Sequence, residues 1–310
     1  MEGWVFLFPG QGSQYVGMGR GFYESYTEVE KIFEEASRLS GVDVARLCFE
    51  GPEDELVLTK NVQLAITVVN IACLKVLELH GIQPVATAGH SLGEYSALYA
   101  AGVMDMPTLI KLVYHRGRFM HEAAEKFKGG MLALMYATED QISHICNVCD
   151  LEVANINSSE QVIVTGTLEN IKKAIEESKK IGIRRTVPLN VSGPWHSRWM
   201  KEASEQFEGV LKGCSFNRPM LPVVMNIDAR ILEDGDDLGA KLKNQIVSPV
   251  LWKQSIENLI ALGYTKFVEV GPKQVLSGLV KKIDKSVHIT HVEDPPSLAS
   301  FLKSHESLSS

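Results

Sequence analysis

The pentapeptide Gly89-His90-Ser91-Leu92-Gly93 follows an apolar run, Val85-Ala86-Thr87-Ala88, and precedes the small residues Ser96, Ala97, Ala100 and Ala101. A G-x-S-x-G sequence between a strand and a helix is the setting of a nucleophile elbow. Its glycines relieve crowding where the chain reverses, and the serine hydroxyl stands clear at the strand's carboxyl end. The Leu92 backbone N–H then opens the next helix, where it can stabilise an oxyanion. The pentapeptide alone fits an unreactive glycine-rich turn equally well. A serine nucleophile also needs a base, and an imidazole of ordinary pKa about 6.5 is the best match near neutrality. Of the nine histidines, His196 stands out: it lies in Ser192-Gly193-Pro194-Trp195-His196-Ser197, a bend after a predicted strand, from which a side chain can project into a cleft. His90 adjoins the serine and should point away from it, while His80, His288 and His291 fall at element ends. Together Ser91 and His196 could perform covalent acyl chemistry. Asp228 and Glu269 are candidates for an acid that orients the imidazole.

The elements that must position these residues alternate. Trp4 to Phe8 reads as a short strand running into Pro9-Gly10-Gln11-Gly12-Ser13-Gln14, and a helical pattern with Val29, Ile32, Phe33 and Ala36 follows. Residues 63–80 are apolar on nearly every side, as expected of a helix inside the core. Strand, loop and helix in alternation imply a parallel sheet. The pattern changes at Lys128-Gly129-Gly130, read as a hinge. Strands are then expected at 131–136, 151–156, 161–165 and 184–191, with helices at 138–148 and 168–180. The order βαββαβ is that of a ferredoxin-like unit. The fold class is therefore α/β: a large domain with a mostly parallel sheet (1–127 and 193–310) carrying an inserted small lobe (128–192). In the remainder, strands are expected at 222–225, 267–270 and 288–292 and a helix at 252–262, and the Ser-rich tail after Ser304 reads as frayed.

Composition narrows the function classes. The 310 residues carry 45% hydrophobic and 22% charged side chains, a globular balance that excludes disordered and fibrous chains. A formal charge of −7 disfavours sequence-independent binding to nucleic acid. The acidic start Met1-Glu2-Gly3 is unlike a signal peptide, and the apolar stretch Leu64 to Leu79 falls short of the roughly 20 residues a bilayer crossing needs. Five scattered cysteines suit reduced thiols in a cytoplasmic protein. Gly10-x-Gly12 lacks the third glycine of a dinucleotide loop, and no Gly-Lys-Ser/Thr follows it.

Several separated segments also stand in one order: Phe8-Pro9-Gly10-Gln11-Gly12-Ser13-Gln14, Gly89 to Glu94, Arg116-Gly117 with Met120, Asn157 with Gln161, Gly193-Pro194-Trp195-His196-Ser197, Gln245, and Glu269-Val270-Gly271-Pro272. With these the chain resembles the malonyl-CoA:acyl carrier protein transacylases of fatty acid synthesis and the acyltransferase domains of polyketide synthases, from residue 4 to about 303. The resemblance implies an α/β-hydrolase-like large domain and a double displacement through a malonyl-serine intermediate. Ser91 would be the nucleophile and His196 the base, with the backbone N–H groups of Gln11 and Leu92 as oxyanion hole. It points to the backbone carbonyl of Gln245, and to neither Asp228 nor Glu269, as the imidazole's orienting acceptor. Arg116 would bind the malonyl carboxylate, and Gln63, Met120, Asn157, Gln161 and Trp195 would line the pocket. Tryptophan stands at 195 where stand-alone malonyl enzymes often have phenylalanine, and Leu64 replaces a common proline. The partners implied are malonyl-CoA and a phosphopantetheinylated acyl carrier protein, with no cofactor, metal, nucleic acid or membrane, and a monomeric chain. A polyketide-pathway transferase, a serine acyl hydrolase and a non-catalytic carrier-binding scaffold are the rival functions.

Two further groups have competing readings. His144-x-Cys146-x-x-Cys149 resembles half a metal site but falls on an amphipathic helix without a second ligand pair, so buried thiols are expected. Lys179, Lys180, Arg184, Arg185, Arg198, Lys281 and Lys282 could gather near the cleft mouth and attract an acidic carrier, or be ordinary solvated cations.

Overall fold

The structure, a computed structural model, describes residues 3–309. The chain begins with β1 (Trp4–Phe8), α1 (Arg20–Ser25), α2 (Thr27–Ser40), α3 (Val44–Phe49), α4 (Glu53–Leu56), α5 (Thr59–Leu79), β2 (Pro84–Gly89), α6 (Gly93–Ala100) and α7 (Met106–Lys126). It continues through β3 (Gly129–Met135), α8 (Glu139–Cys149), β4 (Glu152–Ser158), β5 (Gln161–Thr167), α9 (Leu168–Lys180) and β6 (Arg185–Pro188). The last part holds α10 (Lys201–Leu211), β7 (Val223–Val224), α11 (Leu238–Gln245), α12 (Trp252–Ala261), β8 (Lys266–Val270), α13 (Val275–Ile283), β9 (His288–Val292) and α14 (Pro295–Ser309).

The large sheet has the order β7-β2-β1-β8-β9, with every paired strand parallel. Strands covered on both faces need apolar residues throughout, and all five of β1 are buried. Phe6 and Phe8 pack under α5 and its neighbours, whereas Val5 and Leu7 face the opposite layer with Trp252, Phe267 and Leu276. The indole of Trp4 meets Phe301 and His288 edge-on and donates to His305 Nδ1 at 2.9 Å, joining the first strand to α14.

Helix α5 begins earlier than the apolar stretch alone indicates. At 21 residues and mean hydropathy 1.8 it is long and apolar enough to cross a membrane by length and composition. In this fold it is the central helix, packed on α7, and 83% of its most apolar stretch is buried inside the protein.

The second sheet, β4-β5-β3-β6, is antiparallel, with α8 and α9 packed on it. Its strand order is ferredoxin-like. Gly129 and Gly130, read from sequence as part of a hinge, pair with Thr167 and Gly166 inside β3. A Cβ on Gly129 would lie 2.6 Å from the Gly166 carbonyl oxygen and 2.7 Å from Pro194, so close packing explains that glycine. Strand β6 ends at Pro188, short of Val191, and the chain turns toward the cleft. The lobe is tied to the large domain where Ile156 N–H donates to Val250 O (3.0 Å) and Val250 N–H to Ala154 O (2.9 Å).

The Ser-rich tail after Ser304, expected to fray, continues a helix as far as Ser309. Pro295 and Pro296 do end β9, but they also open α14, because proline suits a helix's first turn. The Asp294 carboxylate accepts from Ser297 N–H at 2.9 Å, and Leu298 and Phe301 are buried.

Candidate active site

Strand β2 delivers the nucleophile. At its end Ser91 adopts φ 51°, a left-handed conformation costly for a side-chain-bearing residue. The elbow is held by absent side chains: a Cβ on Gly93 would lie 1.9 Å from Phe8 O, and one on Gly89 would lie 2.0 Å from the Gly93 backbone. Asn226, just after β7, braces the same turn. Its Oδ1 accepts from Ser91 N–H (2.7 Å) and its Nδ2 donates to Gly89 O (2.7 Å).

His196 arrives from the other side, on the segment that leaves the small lobe, also left-handed at φ 58°. Its Nε2 is 2.7 Å from Ser91 Oγ, and its Nδ1 is 2.9 Å from the backbone oxygen of Gln245. A carbonyl only accepts, so Nδ1 carries the proton and Nε2 is free to take one from the serine. The imidazole is 3% exposed, and burial, reinforced by the Arg116 charge, pushes its pKa down to about 3. It is therefore a neutral base throughout the physiological range.

Neither acid proposed from sequence as orienting partner reaches it. Asp228 pairs with Lys241. Glu269, fully buried, accepts from Leu276 N–H (2.9 Å) and Ser277 N–H (2.7 Å), capping the first turn of α13. Burial raises its carboxyl to about 7, against the pull of those N–H groups.

Arg116 lies on α7, only 1% exposed. One Nη donates to Gln63 Oε1 (2.8 Å), and the other to Gln245 Oε1 (3.0 Å) and Ser91 Oγ (3.2 Å). Its guanidinium also lies over the Tyr95 ring, 5.5 Å from the centroid. Gln63, expected only to line the pocket, is thus a direct partner of the arginine, while its Nε2 approaches Met120 Sδ at 3.4 Å.

These groups converge on a cavity of about 280 Å³. Gln11, Gln63, Ser91, Leu92, Arg116, Met120, Asn157, Gln161, Trp195 and His196 all border it; Gln245 lies behind them. Gly10 abuts the elbow so closely that a Cβ there would lie 2.5 Å from His90 O and 3.5 Å from Leu92 N. The loop carrying Gln11 N–H is therefore held beside Leu92 N–H, and neither donor has an acceptor among the described residues. Asn157 and Gln161 form a chain from the small lobe to the elbow. Asn157 Nδ2 donates to Gln161 Oε1 (3.0 Å), and Asn157 Oδ1 lies 2.8 Å from His90 Nε2. His90 accordingly turns away from the nucleophile.

Other wall residues carried no motif. Met131, Asn155, Ile163, Leu189 and Val191 come from the small lobe and its exit, and Val275, Leu276 and Leu279 from α13. An asparagine directly after the short apolar run Pro222 to Met225 was the only trace of Asn226 in the sequence.

Away from the cavity, His144 pairs with Glu177 at 3.1 Å, and the described residues contain no cluster of three potential metal ligands. Cys149 is buried and Cys146 half-buried. Of the basic residues, Arg198 binds Asp150 (2.6 Å) and Glu152 (2.9 Å), Lys179 binds Glu176 and Lys180 binds Glu177. Arg184 and Arg185 are exposed, as are Lys281 and Lys282 in the last turn of α13.

Known proteins resemble the chain over nearly its whole length. The family model "Acyl transferase domain" matches residues 5–301. The malonyl CoA-acyl carrier protein transacylase of Bacillus subtilis (strain 168) is 40% identical over 299 residues, covering 95% of this chain and 94% of that one. The crystal structure of malonyl CoA-acyl carrier protein transacylase from Clostridium perfringens superposes with a TM-score of 0.95 at 37% identity, covering 99% of this chain and 98% of the other. A malonyl-transacylase solved in complex with its type II PKS acyl-carrier protein superposes at 0.94 with 35% identity, covering 98% and 100%. The chain belongs to the acyl transferase domain family and, within it, to the malonyl CoA-acyl carrier protein transacylases.

Proposed function

We propose that this enzyme moves a malonyl group from malonyl-CoA to the phosphopantetheine thiol of an acyl carrier protein, supplying fatty acid synthesis, through two displacements at Ser91. The observation that carries the reading is the double engagement of one oxygen: Ser91 Oγ meets the base His196 at 2.7 Å and the cation Arg116 at 3.2 Å. In the first displacement His196 Nε2 takes the Ser91 proton as Oγ attacks the thioester carbon. The C–S bond breaks, and the departing CoA sulfur receives the proton from the imidazolium. In the second, the carrier thiol gives its proton to His196 while its sulfur attacks the ester, and Ser91 Oγ leaves with that proton. Each step passes through an oxyanion that Gln11 N–H and Leu92 N–H can hold. These exchanges balance with groups of the chain itself, so the proposal includes no cofactor.

Arg116 gives the reading its substrate. One methylene separates the malonyl carboxylate from the reacting carbonyl, and a planar guanidinium beside the nucleophile can grip a carboxylate with two parallel hydrogen bonds. The carrier as second substrate is supported by the related malonyl-transacylase solved with its type II PKS acyl-carrier protein.

Brief exposure to malonyl-CoA followed by intact-protein and peptide mass spectrometry tests the proposal. A malonyl adduct on Ser91 that disappears when holo carrier protein is added, with malonyl-carrier formed, is the expected result. Absence of the adduct refutes the nucleophile, and free malonate as the main product refutes transfer in favour of hydrolysis.

A further inference from the structure

A buried guanidinium needs compensation from its surroundings. Arg116 reaches Ser91 and two neutral amide oxygens, and a carboxylate touches it only indirectly, through one of those amides. That carboxylate is Glu94 on α6, which is 0% exposed and touches neither Ser91 Oγ nor His196. Its Oε1 accepts from Asn226 N–H at 2.5 Å, and its Oε2 accepts from Gln245 Nε2 at 2.7 Å. Each oxygen faces a donor and neither faces an acceptor for a carboxyl proton, the hydrogen-bond pattern of the ionised form. Burial, with the nearby Asp228 charge, raises the Glu94 pKa to about 8 although the Asn226 N–H, the Arg116 charge and the Gln245 amide oppose the rise, so the carboxylate is complete above that pH.

This arrangement decides which way the Gln245 amide points. Its Nε2 donates to Glu94 and also to Ser91 O at 2.9 Å, so its Oε1 is turned to Arg116. The reversed amide would set oxygen against carboxylate and NH₂ against guanidinium, two repulsions in place of two attractions. With Glu94 ionised, Arg116, Gln245 and Glu94 are an ion pair with an amide inserted between the charges.

We propose that Glu94 is a positioning residue for malonyl selectivity: through the Gln245 amide it supplies the counter-charge that keeps Arg116 aimed at the nucleophile. The proposal rests on the transferase reading and adds a residue to it that binds no substrate.

The test is a double-mutant comparison in the whole chain at about pH 9, where Glu94 is ionised, with malonyl-CoA and acetyl-CoA as competing donors. Glu94→Gln keeps the size but presents NH₂ where one of two donors needs an acceptor. The malonyl-to-acetyl ratio of kcat/KM then falls about tenfold, typical of side chains coupled in one network. In an Arg116→Ala background the same substitution leaves the ratio unchanged, because the residue it acts on is gone. Glu94→Asp keeps the charge and recovers part of the ratio. A ratio unaltered by Glu94→Gln overturns the proposal, and so does an equal loss in both backgrounds, which marks a purely structural role. If Glu94→Gln does not fold, Gln245→Leu cuts the relay while leaving the carbonyl that His196 uses; it should lower the ratio equally, and an unaltered ratio overturns the proposal. A wild-type enzyme without malonyl preference refutes the transferase reading itself, whereas a preference that survives Glu94→Gln refutes the relay alone.

Discussion

Replacing Arg116 by alanine withdraws a cation 3.2 Å from the Ser91 hydroxyl and empties a buried site. The loss can be sized from its contacts. Hydrogen bonds to a charged group contribute about 1.5–3 kcal/mol each, so a two-pronged grip on the malonyl carboxylate is worth about 3–6 kcal/mol. Without substrate, however, the same nitrogens already donate to Gln63 Oε1 and Gln245 Oε1, so part of the gain is an exchange of neutral for charged acceptors. The lower end is therefore expected: about 3 kcal/mol, or roughly 150-fold in kcat/KM for malonyl-CoA. Acetyl-CoA has no carboxylate to lose, and its transfer should hold or rise once the guanidinium is gone. The assay is a competition between malonyl-CoA and acetyl-CoA for one holo carrier protein, with the products separated by mass. Arg116→Lys, which keeps charge without the fork, should fall between wild type and Arg116→Ala. An Arg116→Ala enzyme that keeps its malonyl preference, or loses both activities equally, would refute the reasoning.

The depressed pKa of His196 sets the acid side of the pH profile. Its folded value, about 3, lies below the ordinary 6.5, so the neutral base persists as pH falls, and single-turnover acylation of Ser91 should show no inflection near 6.5. The unfolded state binds the extra proton first, so stability contributed by the neutral imidazole is complete above about 6.5 and declines as pH drops toward 3. A rate inflection at the ordinary histidine pKa contradicts this. Asp228→Asn should leave transfer within about twofold, because the carboxylate pairs with Lys241 and does not reach His196. Glu269→Gln should lower the unfolding free energy by about 1–3 kcal/mol, since one of two N–H groups at the start of α13 then faces an NH₂. A loss of rate from either variant as large as that of His196→Ala would restore an acid to the orienting position. Gly93→Ala should cost about 4 kcal/mol or more, measured by urea unfolding, because no rotamer relieves a Cβ lying 1.9 Å from a backbone oxygen; near-wild-type stability would mean the elbow is looser than described.

Chemistry was legible wherever a residue type had few other reasons to sit in its pattern. Ser91 between two glycines and His196 after a glycine-proline bend are such positions, and the structure joins them at 2.7 Å. The strands and helices of the small lobe were readable because each is short, amphipathic and bounded by turn residues. Asn226 and Glu94 were harder to find because an asparagine or glutamate is ordinary in sequence. Only burial and aligned donors reveal that they brace the site. Helix α13 was missed although it forms part of the cavity wall, since Val275, Leu276 and Leu279 form a plain apolar face. The tail after Ser304 misled for the opposite reason: its serines suggest fraying, but α14 runs on as far as Ser309.

The place of β1 has a consequence for synthesis on the ribosome. Strand β1 is flanked by β2 and by β8, and its Trp4 rests against residues of α14. A chain made only through the small lobe contains Ser91 and Arg116 but lacks His196, Gln245 and β8. The hydroxyl gains an oriented base only once residue 245 has been joined, about four-fifths of the way along the 310 residues.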